Sequence, residues 1–161
     1  LSQGPWGKSR EGHGTLPQVA VTLRGAFRPA FAALLASSLT LFEEEGRPPP
    51  PETRHRRRLF QRLERGEKAV LFGAVAAPLG HAQWAENGDG LLLRELRLAR
   101  EIRRQGHGHG FLLWLQSTAP EARISVQVLE SNRAALAFWE VEAARHPGLT
   151  VEVLALARPL G

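Results

Sequence analysis

Residues 96–110, LRLAREIRRQGHGHG, constrain this chain more than any other stretch, because a strand-like run ends in glycines that open an apolar helical segment at once. Gly106, Gly108 and Gly110 let backbone approach an anion closely. Amides at the start of the following helix supply donors and a favourable dipole. Arg103 and Arg104 add positive charge beside them. A tight strand-to-helix connection with no ligand would use the same residues, so the surrounding order of elements must decide. The phosphate loop of nucleotide hydrolases needs a Gly-Lys-Ser/Thr ending that this turn lacks. The dinucleotide fingerprint opens a parallel sheet, whereas this turn follows three expected antiparallel strands.

Hydrophobic spacing supplies that order. Residues 18–24 alternate through Val19, Val21 and Leu23, as a half-buried strand does. Phe27, Phe31, Leu34, Leu35, Leu39 and Phe42 recur at helical spacing, with Pro29 tolerable in the first turn. Prolines 48–51 break that helix, and a second, very basic one runs over residues 52–64. Strands are expected over 70–75, 81–86 and 91–98, the first two split by Pro78-Leu79-Gly80 and the last two joined by Asn87-Gly88-Asp89-Gly90. After the glycine turn come a helix over 111–115, a strand over 124–128, a helix beginning at Asn132 and running through Val141, and a last strand over 151–156. Residues 1–17 have no hydrophobic period and read as a flexible segment preceding a single domain over 18–161.

Composition closes off several chemistries. A chain of 161 residues that is 43% hydrophobic suits one domain. It has no cysteine, which excludes disulfides, thiolate metal sites and cysteine nucleophiles, and fits a soluble, cytoplasmic protein. There is no apolar run long enough to span a membrane. The formal charge of +5 rests largely on arginine. No basic run is interleaved with stacking aromatics, which argues against nucleic acid as a partner and for a solvated, Arg-rich surface.

Two segments carry a family resemblance. Arg103-Arg104-Gln105-Gly106-His107-Gly108 resembles the Gln/Arg-x-x-Gly-x-Gly/Ala signature of the GCN5-related N-acetyltransferases (GNAT). The stretch from Val128 through Asn132, Ala135 and Phe138 to Trp139 resembles the family's second signature, in family order and spacing. The resemblance runs from about Gln18 to Arg158 and implies an α/β (α+β) fold: a mixed, mostly antiparallel sheet flanked by helices, with splayed central parallel strands. It implies acetyl-CoA as acyl donor and an amine as acceptor. Backbone amides of Gln105, Gly106, His107, Gly108 and His109 would hold the pyrophosphate, flanked by Arg103 and Arg104. Leu96 and Leu98 would pair with the pantetheine arm, the Leu98 amide also facing the oxyanion, and Asn132 and Trp139 would approach from the last helix.

The sequence departs from the family in places. The tyrosine that commonly protonates the leaving thiolate is Trp139, and the chain has no tyrosine. The glutamate used by enzymes that acetylate ribosomal-protein N-termini is Gln127. Glu95 is the first candidate base, with His81 behind it; a solvated strand carboxylate paired with Arg94 or Arg97 is the competing reading. Glu43, Glu44 and Glu45 read as a solvated acidic helix end bordering the acceptor region. His107 and His109 are spaced like a metal pair but lack a third ligand in sequence, so no metal is expected. Trp6, Trp84, Trp114 and Trp139 read as core or cleft wall. Only one closing strand is visible where the family has a hairpin, which invites homodimerisation. The alternative to an enzyme is a non-catalytic, regulatory CoA-binding module.

Overall fold

The computed structural model describes residues 16–23 and 28–155. Residues 1–15 of the expected flexible segment, Trp6, Phe27 and Leu156 lie outside them. Leu16 is buried and the Pro17 carbonyl accepts from Gly73 N–H, so the last two residues of that segment sit on the sheet.

The elements in order are β1 (Gln18–Ala20), α1 (Arg28–Glu44), α2 (Glu52–Glu64), β2 (Lys68–Ala74), β3 (Ala77–Asn87), β4 (Gly90–Leu98), α3 (His107–Thr118), β5 (Ile124–Leu129), α4 (Arg133–Arg145) and β6 (Leu149–Leu154). They form one open six-stranded sheet in sequence order. Strands β1 to β4 run antiparallel, and β4, β5 and β6 are parallel through α3 and α4.

Strand alternation divides the buried residues between two layers. Val70, Phe72, Ala82, Trp84, Leu91 and Leu93 face α3 and α4, where Phe111, Leu112, Leu115 and Trp139 complete the larger core. Ala69 and Leu71 face α1 and α2 with Leu34, Leu35 and Leu59. Helix α2 buries only His55 and Leu59, one turn apart, which is why its remaining surface can be so basic.

Several boundaries differ from expectation: β1 ends at Ala20 rather than at residue 24, and β6 begins at Leu149 rather than at residue 151. Pro78-Leu79-Gly80 does not separate strands but lies inside β3, and the turn falls at Val75-Ala76. A register shift at Phe72/Gly73 accommodates the proline, and Gly80 takes φ +135° so that β3 can pass beside the Arg97 carbonyl. Helix α3 starts at His107 rather than Phe111. Its first-turn glycines cost helix propensity, but Gly108 is pressed against Phe138 of α4, where a Cβ would come within 2.7 Å of the ring.

Candidate active site

Strands β4 and β5 form a fork. They pair only at Leu91↔Ile124, Leu92↔Ser125 and Leu93↔Val126, although β4 continues to Leu98 and β5 to Leu129. The β3–β4 register shifts between Gln83↔Glu95 and Trp84↔Leu93, which leaves Arg94 as an extra residue just beyond the last β4–β5 pair. A bulge bends its strand, and here it turns β4 away from β5. The Ala99 amide donates to the Leu79 carbonyl at 2.8 Å on the β3 side. By alternation, the amides of Leu96 and Leu98 face the other way, into the fork.

The fork opens toward the glycine turn. Arg104 at φ 62° and Gly106 at φ 83° are both left-handed, and they reverse the chain into α3. Gly106 has no side chain to cap the helix, and the bond from Gly110 N–H to the Gly106 carbonyl closes the first turn. Gly108 and His109 lie within that turn, where backbone amides have no intrahelical acceptor. The turn can therefore present donors to an anion. Arg103 is directed elsewhere: its Nε donates to the Leu98 carbonyl at 2.7 Å and its guanidinium pairs with Glu44. Arg104 is exposed, and Gln105 donates back to the Glu101 carbonyl.

On the α1/α2 side of the same strands lies a buried polar network. The cross-strand pairs His81↔Arg97 and Gln83↔Glu95 place four polar side chains on one face, and α1 and α2 cover them. Arg97 donates to Ser37 Oγ at 3.2 Å, Ser37 Oγ lies 2.6 Å from His81 Nδ1, and His81 Nε2 lies 2.7 Å from Glu95 Oε1. Ser38 donates to the same Glu95 oxygen at 2.8 Å and lies 2.7 Å from His55 Nε2. One assignment satisfies these contacts: Ser37 gives its proton to His81 Nδ1, and both imidazoles carry theirs on Nε2. Glu95 Oε2 lies 3.9 Å from the Arg62 guanidinium. Neither Arg94, bound to Glu67, nor Arg97, bound to Glu44, pairs with Glu95. The Gln83 Nε2 and His55 Nδ1 atoms are buried without a partner. Burying polar groups opposes folding unless they are hydrogen-bonded, and these bonds satisfy most of the network.

Burial acts to raise the Glu95 pKa, but the His81 hydrogen bond and charge, the Ser38 bond and Arg62 outweigh it and hold the carboxyl below its ordinary value of 4.5. Burial pushes His55 below its ordinary 6.5, aided by Arg58 and Arg62 against the opposing charge of Glu95. In both cases the unfolded chain binds a proton more readily than the fold, so stability falls with acidification. The His55 contribution is whole above 6.5 and is lost as pH falls from there. The Glu95 contribution is lost below 4.5, as pH falls through its depressed folded value. Urea midpoints measured from about pH 7 to 5.5 are expected to fall in the wild type and to stay flat in His55→Gln. A decline of equal slope in both would place the titrating group elsewhere.

Glu43 and Glu44 at the end of α1 are exposed, as a solvated acidic helix end would be, but Glu44 is also paired and Glu45 is partly covered. Glu44 is held by Arg97 and Arg103, whose hydrogen bonds and charges lower its pKa against the opposing effect of burial. Glu45 is half-buried, and burial raises its pKa against the opposing effects of Arg47 and the facing Asn132 side chain; Glu95 adds a further repulsion. Glu45 therefore faces Asn132 and lies within electrostatic reach of Glu95. Asn132 caps α4, its Oδ1 accepting from Ala135 N–H at 3.2 Å.

No family model and no curated protein matches this sequence, but solved structures do match the fold. A GNAT-family acetyltransferase from Staphylococcus aureus Mu50 superposes with TM-score 0.61 at 13% identity, over 78% of this chain and 83% of that one. This chain has the GNAT acetyltransferase fold. An aminoglycoside acetyltransferase from an uncultured soil metagenomic sample, solved in complex with sisomicin, gives TM-score 0.61 at 17% identity over 91% and 97% of the two chains. An aminoglycoside N-acetyltransferase in complex with CoA gives 0.60 at 10% over the same shares.

Within this GNAT fold, Trp139 is buried in the larger core with Trp84, and Trp114 packs against it. His109 reaches across to Glu142 of α4 and to His146 at its end. Ser37, Ser38, His55, Arg62 and Gln83 were not legible as site residues in the sequence. Their one signal is polarity in a buried period: Ser38 falls one turn after Leu34 and Leu35, and His81 and Gln83 occupy alternate positions of a strand otherwise apolar on both faces. No helix among the described residues is long and apolar enough to cross a membrane.

Proposed function

We propose that this chain is an acyl-CoA-dependent N-acetyltransferase that moves an acetyl group from acetyl-CoA directly to a primary amine. The observation that carries the reading is the fork: two parallel strands that part at a bulge and open onto an uncapped helix start. A pantetheine arm fits between the strands along Leu96 and Leu98, while the turn from Gln105 to His109, with Arg104 beside it, receives the pyrophosphate. Arg103, held by Leu98 and Glu44, shapes the turn rather than binding phosphate. The Leu98 amide faces the position of the developing oxyanion.

Glu95 is the base in this reading. Its Oε1 is occupied by Ser38 and His81, and its Oε2 takes the proton that the amine loses as the C–N bond forms and the C–S bond breaks. Glu45 and Glu95 together attract a cationic acceptor to the fork, a reading supported by the likeness of the fold to that of an aminoglycoside acetyltransferase in complex with sisomicin. A non-catalytic CoA-binding module is the second reading, favoured by the burial of Trp139 and the lack of any tyrosine to protonate a thiolate.

Calorimetry tests the donor site. The wild type is expected to bind acetyl-CoA, and Arg104→Glu to bind about 10-fold more weakly. Gly108 is a poor site for such a test, because any side chain there collides with Phe138. No binding by the wild type would end the reading. Binding without turnover on a panel of primary amines, amino sugars and polyamines included, would leave the non-catalytic module.

A further inference from the structure

We propose that His109, Glu142 and His146 form a site for one divalent transition-metal ion of the zinc class, joining the start of α3 to the end of α4. The ligand atoms of the three residues lie within 4.8 Å of one another. Glu142 Oε2 is 2.8 Å from His109 Nδ1 and 3.1 Å from His146 Nε2, and the imidazole centroids are 5.3 Å apart. Two imidazoles and one carboxylate are a ligand set that zinc takes in three-ligand sites with an open fourth position. Tetrahedral bonds of about 2.0–2.2 Å separate neighbouring ligand atoms by roughly 3.3–3.5 Å. The carboxylate oxygen would move out from the two imidazole nitrogens, now at 2.8 and 3.1 Å, to reach that spacing.

The setting is as telling as the distances. Glu142 is only 3% exposed, although its neighbours along α4 face solvent, and Arg145 approaches its other oxygen at 3.8 Å. Oε2 is thus the oxygen left to the two imidazoles. Glu142 lies in the last turn of α4, His146 is the residue that ends that helix in extended conformation, and His109 comes from the first turn of α3, so the three ligands meet where the two helices pack. Each imidazole presents its inward nitrogen to metal as a lone pair by exchanging tautomers, with no net loss of charge. Because His109 is in the first turn of α3, an ion here fixes the turn that forms the end of the fork. The proposal does not depend on acetyl transfer.

The test uses the full chain stripped with chelator and then titrated with zinc against a chromophoric competitor, alongside cobalt spectra that report tetrahedral coordination. One equivalent is expected to bind in the wild type. His146→Ala, at the end of α4, should weaken binding by at least about 100-fold, and Glu142→Gln should lose the tetrahedral spectrum, while Arg57→Ala on the exposed face of α2 leaves both unchanged. Absence of stoichiometric binding in the wild type overturns the proposal, as does binding that survives in His146→Ala and Glu142→Gln alike. Calorimetry with acetyl-CoA on the stripped protein separates this outcome from the fate of the transferase reading.

Discussion

Glu95→Gln is expected to lower kcat for acetyl transfer by about 10²–10⁴-fold, the usual worth of a positioned general base, with acetyl-CoA affinity unchanged. The amide keeps the shape of the carboxylate, and its oxygen can still accept from Ser38 and His81, so the network need not collapse. What is lost is the Oε2 lone pair that receives the ammonium proton. His81→Ala removes a positioning residue, since His81 reaches the acceptor only through Glu95, and its expected effect is smaller. The double variant should be no slower than Glu95→Gln alone, because residues acting as one unit are not additive. The readout that separates chemistry from structure is the pH profile: the wild-type rate keeps the titration of its base, and Glu95→Gln abolishes it. An unchanged kcat in Glu95→Gln would reduce the whole buried network to a structural role.

The second large effect falls on stability. Gly80→Ala is expected to cost about 4 kcal/mol or more, from left-half backbone strain combined with overpacking. At φ +135° an alanine is strained whatever the space around it, and here its Cβ would sit 2.0 Å from the Arg97 carbonyl oxygen. That neighbour is backbone in the middle of the sheet, so it cannot swing aside as a side chain would. Gly80 pairs with Leu98 and precedes His81, so any relief the sheet finds must move both the fork and the Glu95 network. Urea denaturation of the purified variant measures the loss, and failure to recover folded protein is the extreme form of the same result. A midpoint within about 0.5 kcal/mol of wild type would mean that β3 and β4 do not approach as closely as described.

The local sequence determined the order of elements, the two helix-forming periods of α1 and α2, and the glycine turn that enters α3. These are properties of residues close together in the chain, where apolar period and glycine placement act directly on the backbone. Glu95 and His81 were also visible individually as candidates, because ionisable residues stand out on otherwise apolar strands. Their joining was not visible. A single extra residue at Arg94 inverts the facing of everything after it on β4, so alternation read from the start of the strand assigns Glu95 to the wrong side.

Tertiary structure alone decided which partners each candidate takes. Ser37 meets His81 across 44 residues, Ser38 meets Glu95 across 57 and His109 meets Glu142 across 33, and no local pattern encodes such separations. It also reassigned residues whose type had suggested one role. Arg103 is drawn to Glu44 and the Leu98 carbonyl and Gly108 has Phe138 lying against it, whereas Trp139 fills the core as its type had suggested. Residue type fixes what a side chain can donate, accept or bury, whereas its actual partner is set by how helices and strands distant in sequence pack, and that packing brought Glu95 to Ser38 and His81 and brought His109 to Glu142.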